Sequence, residues 1–432
     1  MPGMQPHHKV LTVLVVAVVT VLAAVLLNLT AGTPDQTLAG GNTTAATQTP
    51  FSAAKGVEPT SFYDPPDTLP DEPPGTVLRS EPIKDAPEGV SAWRLLYLSR
   101  NNAGDPITIS GLYLEPTTPP PTGSRYPLVA FAHGTTGVGR SCGMSQAPFT
   151  NETAGNEYWR TLMSPMVGAG YAVVATDYEG MGAPGTYTYL LRKQSYDVLD
   201  SLRAALEFRP QMLDSGSLGV LGHSEGGFVA LTTADMAPDY APELAIRGSI
   251  AQAPGGVPPF PAAIQSLLGS TGDDGPTPRS GYLTDLTASW NATFPELSKP
   301  EYWYTPQGMT DIPAAYDLCQ GAQLKALDQT FHTYFNRSVP LSVAKIPAME
   351  QPLLGTTSIP ILVQQGAADT SVVPQLSRAM AIQGCALGNS IQLQEFPNDV
   401  HRSVQYTARS QYLDWFAERF AGEPVTGDCV GW

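Results

Sequence analysis

Leu218-Gly-Val-Leu-Gly222-His223-Ser224-Glu225-Gly226-Gly227 is a short apolar run that ends in Gly-x-Ser-x-Gly and leads into Phe228-Val-Ala-Leu-Thr-Thr-Ala234. The pattern predicts a strand, a sharp turn and a helix. A serine hydroxyl is a weak nucleophile at its free pKa, so a reactive one must be exposed on one side, reached by a base, and set beside donors for an oxyanion. A strand-to-helix elbow meets all three needs. Glycines around Ser224 let the turn pass close to its neighbours, and the helix aims its first N–H groups at the reacting carbon. Gly-x-Ser-x-Gly alone arises by chance in a Gly-rich chain. The apolar strand before it and the Gly-Gly and apolar segment after it set this one apart from a turn with an idle serine.

Working upstream, Ala92–Ser99 and Pro106–Leu114 predict an antiparallel hairpin across the turn Asn101–Gly104, forming the edge of a sheet. Tyr126–His133 is a continuous apolar strand, followed by the loop Gly134-Thr135-Thr136-Gly137. Such strands belong in a sheet buried on both faces. Glu157–Ala169 reads as helix, Gly170–Asp177 as strand, and Gln194–Phe208 as helix with apolar residues at helical spacing. Alternating strand and helix predicts right-handed crossovers and an α/β fold with a mostly parallel central sheet.

Downstream, Arg247–Gln252 is the next core strand and Ile361–Gln364 the one after it. The 108 residues between them far exceed an ordinary crossover, so something is inserted there. The insertion holds Trp290, Phe294, Tyr302, Trp303, Tyr304, Phe331, Tyr334 and Phe335, and reads mainly as helix from Asp311 to Phe335. The chain then runs through the loop Gly366–Pro374, helix Gln375–Ile382, strand Ile391–Phe396, loop Pro397–His401 and a closing helix Val404–Phe420.

The base for Ser224 comes from six histidines. His7 and His8 lie near the N-terminus and His332 in the insertion. His133 ends a core strand, which suits a loop-positioning role. His223 neighbours Ser224, so its ring should point away from the hydroxyl and pack. His401, on the loop after the last strand, is the candidate general base. Asp369 is the candidate carboxylate that fixes its tautomer, giving the chain order Ser, Asp, His. Asp399 is the rival, although an acid so close to the histidine more often caps a turn. Asp177 precedes the nucleophile and breaks that order. Oxyanion N–H donors should come from Glu225, whose carboxylate also suits a helix N-terminus, and from Thr135, with Thr136 next.

A net charge of −16, with 23 Lys and Arg that form no basic run, argues against a nucleic-acid partner. His7-His8-Lys9 precedes an apolar run, Val10–Leu27, which reads as an export signal. It is also about the length of a membrane span, so cleaved leader and retained anchor are both open, with cleavage favoured. From Ala31 to about Pro74 the chain is a Thr-, Pro- and Gly-rich linker without a core of its own. Cys142, Cys319, Cys385 and Cys429 in an exported chain suggest two disulfides, with three pairings open. No C-x-x-C spacing or His cluster suggests a metal, and the chemistry outlined needs no cofactor. Asn28, Asn42, Asn151, Asn291 and Asn336 carry glycosylation sequons, relevant in a host that glycosylates exported proteins.

His133-Gly134-Thr135-Thr136-Gly137, Asp177-Tyr178-Glu179-Gly180-Met-Gly182, Gly222-His-Ser-Glu-Gly-Gly227, Ala253-Pro254-Gly255-Gly256 and Gly366-Ala-Ala-Asp369 followed by Val373-Pro374 and His401 together resemble the secretory lipase family. That family is typified by the fungal lipase A enzymes and their actinobacterial relatives, and the resemblance spans roughly residues 81–432. Asp177-Tyr-Glu-Gly180 is its most specific piece. Fungal relatives differ at positions 223 and 225, which places this chain nearer the bacterial branch. The likeness implies an α/β-hydrolase fold with a helical lid inserted in the sheet, and hydrolysis of carboxylic esters, acylglycerols among them, outside the cell. It also implies the pairings Cys142–Cys319 and Cys385–Cys429. The resulting division is a leader or anchor at 1–30, a linker at 31–75, the first part of the core at 76–254, the lid at 255–350 and the second part of the core at 351–432.

On this reading the partner is a lipid or ester substrate, met at a lipid–water interface, with no obligate protein partner. The lid aromatics and Pro258-Pro259-Phe260-Pro261 would line an acyl pocket, or else form the lid's own small core. Three other readings share the scaffold: a secreted serine peptidase, an acyltransferase on envelope lipids, and an inactive surface protein that binds lipid.

Overall fold

The computed structural model describes residues 56–258, 264, 268, 278–425 and 429. The expected leader or anchor at 1–30, the first part of the linker, and Pro259, Phe260 and Pro261 lie outside the described residues. Among the described residues no helix is long and apolar enough to cross a membrane.

Nine strands form one sheet: β1 (Val77–Pro82), β2 (Val90–Arg100), β3 (Pro106–Pro116), β4 (Tyr126–Ala132), β5 (Ala172–Thr176), β6 (Leu213–His223), β7 (Ile246–Gln252), β8 (Ile361–Gly366) and β9 (Ile391–Phe396). Their spatial order is β1-β2-β3-β5-β4-β6-β7-β8-β9. The first three strands pair antiparallel with their neighbours, and every pair from β5 through β9 is parallel. Residues of β4, such as Leu128, Val129, Ala130 and Phe131, are fully buried because helices cover both faces. The helix Gln194–Phe208 forms over the predicted span.

Several expectations need correction. The hairpin β2–β3 is not the sheet edge, because β1 pairs outside it. Residues 56–75, read as the end of the linker, pack on the body. Phe62 and Tyr63 are buried against Leu96 and Ala183. The closing helix is broken at Ala408 into Val404–Thr407 and Arg409–Phe420, and Tyr406 faces outward.

The insertion between β7 and β8 is built on the helix Pro278–Thr293 and the short helices Pro300–Trp303, Gly308–Ala314, Gln320–Ala326, Phe331–Tyr334 and Lys345–Met349. The span 311–335, read mainly as helix, carries Gly308–Ala314, Gln320–Ala326 and Phe331–Tyr334 with turns between. Trp290, Trp303, Tyr304, Phe331, Tyr334 and Phe335 are buried and pack ring to ring, Phe331 on Phe335 at 4.9 Å and Trp290 edge-on to Trp303 at 6.2 Å. These aromatics belong to one apolar cluster with sheet residues such as Leu128 and Ile361. Cys142 is bonded to Cys319 and Cys385 to Cys429.

Candidate active site

The elbow forms where β6 ends. Ser224 holds φ +61° and ψ −120°, a conformation that a non-glycine residue adopts only when its surroundings fix it. Two close approaches explain its glycines. A Cβ on Gly222 would meet the Gly226 carbonyl oxygen at 1.9 Å, and one on Gly226 would meet the Ala132 carbonyl oxygen at 1.9 Å. The Ser224 N–H donates to the Gln252 carbonyl (2.9 Å), which pins the turn to β7.

The loops after β4, β6, β8 and β9 open at the same end of the parallel sheet, and this brings Thr135, Ser224, Asp369 and His401 into one neighbourhood although the sequence scatters them. His401 Nε2 lies 2.9 Å from Ser224 Oγ, and His401 Nδ1 lies 2.7 Å from Asp369 Oδ2. Asp369 Oδ1 accepts the N–H groups of Ser371 (2.8 Å) and Val372 (2.9 Å), and Oδ2 also accepts from Gln365 Nε2 (3.2 Å). Burial opposes the charge on Asp369. The His401 imidazole and these N–H donors outweigh it, and the carboxyl is held below its ordinary range.

The rival acid sits elsewhere. Asp399 Oδ1 accepts from Ser403 Oγ (2.5 Å) and Thr407 Oγ1 (2.9 Å), capping the next turn. Asp177 is buried on Ser110 Oγ (2.6 Å), Ser145 Oγ (2.5 Å) and the Ser145 N–H (2.8 Å), and ties the loop after β5 to the neighbouring chain. From the same motif Glu179 shares buried Lys193 with Asp197 of the helix Gln194–Phe208, at 2.9 and 2.6 Å. The most specific piece of the resemblance is thus structural in its contacts. His133 is buried, Nδ1 at 2.7 Å from the Gly134 carbonyl, in the loop-shaping role expected for it. His332 lies in the insertion with Nδ1 3.3 Å from the Phe335 carbonyl.

The loop after β4 abuts the elbow, because a Cβ on Gly134 would lie 3.1 Å from Ser224 Cβ. Thr135 Oγ1 is 2.8 Å from the Tyr189 hydroxyl, and the Thr136 carbonyl accepts the Gln320 N–H (2.9 Å). The Cys142–Cys319 bond closes the same junction between this loop region and the insertion. Glu225 stands in the first turn of the helix Glu225–Tyr240. It is buried and takes Gln194 Nε2 at 2.8 Å, and burial pushes its pKa well above its ordinary value.

The helix Pro278–Thr293 lies over this region. Ser289 Oγ accepts the Tyr189 N–H (2.9 Å), and burial raises the pKa of the Tyr282 phenol. Asp285 of that helix takes Gln323 Nε2 at 3.1 Å, and burial raises its pKa to about 8. None of these contacts was anticipated. The helix buries Ser280, Thr284, Asp285, Thr287 and Ser289, so it lacks the apolar period that marks a packed helix.

Comparison with known proteins agrees with the geometry. The family profile described as "Secretory lipase" matches residues 145–271. A Malassezia globosa protein, "Secreted triacylglycerol lipase LIP3", is 26% identical over 401 residues, covering 85% of this chain and 82% of that one. A Mycobacterium tuberculosis protein named "Probable inactive lipase MT1628" is 25% identical over 395 residues, covering 84% and 82%.

The chain is similar to the secretory lipases over most of its length.

The X-ray structure of Candida antarctica lipase A matches this chain with a TM-score of 0.67 at 17% identity, covering 86% of this chain and 87% of that one. The fold is that of the α/β-hydrolases. Because one similar protein is named inactive, likeness to the secretory lipases does not decide turnover, which depends on the side chains around Ser224.

Proposed function

We propose that this chain is an exported serine ester hydrolase, a lipase cleaving acylglycerols or other acyl esters through Ser224, His401 and Asp369. The observation that carries the reading is the continuous hydrogen-bond chain from Asp369 Oδ2 through His401 to Ser224 Oγ, at 2.7 and 2.9 Å. Ser224 Oγ attacks the ester carbonyl while its proton passes to His401 Nε2. Asp369, held ionised, keeps the Nδ1–H tautomer and stabilises the imidazolium. The N–H groups of Glu225 and Thr135 receive the oxyanion. The imidazolium returns its proton to the departing alcohol, leaving an acyl-enzyme. Water activated by the same imidazole then releases the carboxylic acid.

The insertion serves as the lid. Its helix Pro278–Thr293 holds the Tyr189 backbone through Ser289, and the Tyr189 hydroxyl meets Thr135, so movement of that helix would disturb the loop beside Ser224. Export is supported by the N-terminal apolar run, by two disulfides, and by kinship with a protein named as secreted.

A second reading, an inactive surface protein that binds lipid, draws on the relative named as inactive. The test is turnover of p-nitrophenyl esters with short, medium and long acyl chains, of emulsified triacylglycerol, and of a matched amide. The proposal expects release from the esters, with the chain-length profile separating esterase from lipase. Amide turnover would favour the peptidase, and acyl transfer to an added alcohol in preference to water would favour the acyltransferase. Lipid binding with no turnover would favour the inactive scaffold.

A further inference from the structure

His223 packs away from the serine hydroxyl, yet its ring makes more than packing contacts. Nε2 lies 2.8 Å from the main-chain carbonyl of His401, a contact between residues 178 apart in the chain. A carbonyl only accepts, so Nε2 carries the proton and Nδ1 is the acceptor. Nδ1 is reached by Gln405 Nε2 at 3.1 Å and by the Tyr158 hydroxyl at 3.5 Å. The same Tyr158 oxygen accepts the N–H of Gly134 at 3.1 Å.

We infer that His223 is a positioning residue, a neutral Nε2–H imidazole that, with Tyr158, ties the loop bearing His401, the elbow bearing Ser224 and the loop bearing Thr135 into one unit. This rests on the ester-hydrolase reading above and adds to it the device that sets the relative position of the reacting groups.

Four further facts agree. His223 and Tyr158 are each 2% exposed, so water does not compete for these contacts. Burial, then the neighbouring His401, pushes the His223 pKa down to about 3, which keeps the ring neutral and Nδ1 free to accept. Burial raises the Tyr158 phenol, so its O–H remains a donor. The His223 ring centroid is 4.7 Å from that of His401, close enough that a cation at position 223 would repel the imidazolium formed in catalysis. Gly-x-Ser-x-Gly does not specify its second position, and here that residue is bonded to the backbone of the base.

The test compares His223→Phe, which keeps the ring volume, with His223→Gln, whose amide N–H can occupy the place of Nε2–H. With a soluble p-nitrophenyl ester, His223→Phe should lower kcat by about tenfold to a hundredfold with KM little changed, since sub-ångström misplacement of reacting groups acts on the chemical step. His223→Gln should recover a large part of that loss. A folded His223→Phe protein with the parent's kcat overturns the proposal, as does an equal loss in both variants. Should His223→Phe fail to fold, the Gln variant decides, a hundredfold loss in a folded protein counting against. Independently of turnover, ¹H–¹⁵N spectra of ¹⁵N-histidine-labelled protein should show one imidazole fixed as the neutral Nε2–H tautomer from pH 5 to 8 and absent from His223→Gln. A titrating or Nδ1–H ring at that position contradicts the proposal. This spectrum stands even where the parent hydrolyses no ester, a result that would count against the ester-hydrolase reading alone.

Discussion

His401 Nδ1 lies 2.7 Å from Asp369 Oδ2, across thirty-two residues of chain, while Asp399, two residues from the same histidine, turns its carboxylate to Ser403 and Thr407. The two acids therefore have separable roles. Asp369→Asn should lower kcat by about 10⁴-fold, the scale set when a triad imidazole is held in the wrong tautomer. Asp399→Asn keeps an acceptor oxygen for its turn and should leave kcat close to the parent's. Steady-state kinetics of both variants on one ester check this, and the reverse ranking would reassign the acid.

Two buried acids should shape stability against pH in opposite senses. The Asp369 pKa is depressed, so its contribution is present above the unfolded value of about 4 and is lost as pH falls through the lower folded value. Asp285 is raised from 3.8 to about 8, so its contribution is complete below about pH 4 and is lost as pH rises through 8. Asp285→Asn should therefore gain in thermal midpoint over the parent progressively between pH 4 and 8. Parallel midpoint curves would mean that Asp285 is ionised in the fold.

Much of this arrangement is legible in the chain because its signals are local. The elbow, the loop after β4 and the loop of Asp369 each follow an apolar strand and are marked by glycine or proline, so parallel strands alone bring their ends together. What escaped lacks such a signal. β1, Val77-Leu-Arg-Ser-Glu-Pro82, pairs on one side only and is half exposed and charged, so it reads as loop. The helix Pro278–Thr293 hides its buried face behind Ser, Thr and Asp. The bond from His223 to the His401 carbonyl joins a side chain to a main chain across 178 residues, and no residue type at position 401 announces it.

Gly222→Ala should abolish soluble expression or activity. The added methyl would sit 1.9 Å from the Gly226 carbonyl oxygen, backbone that cannot swing aside as a flexible side chain would. Recovery of soluble, active Gly222→Ala protein would show that the elbow is looser than its φ and ψ describe.

The Cys142–Cys319 bond closes 177 residues and joins the chain after β4 to the insertion. Replacing both cysteines by serine should cost about 2–4 kcal/mol in unfolding free energy, read from denaturant midpoints. It should also lower kcat by letting the loop of Thr135 shift. An unchanged kcat in a destabilised variant would restrict the bond to stability.

The most direct test is turnover of a p-nitrophenyl ester by the mature-length protein and by its Ser224→Ala form, each shown to be folded by its thermal midpoint. The account predicts hydrolysis by the parent and a loss of at least about 10⁴-fold in kcat on removing the hydroxyl. Equal hydrolysis by both proteins would place the chemistry elsewhere, and a folded parent without turnover on any ester would contradict the enzyme reading itself.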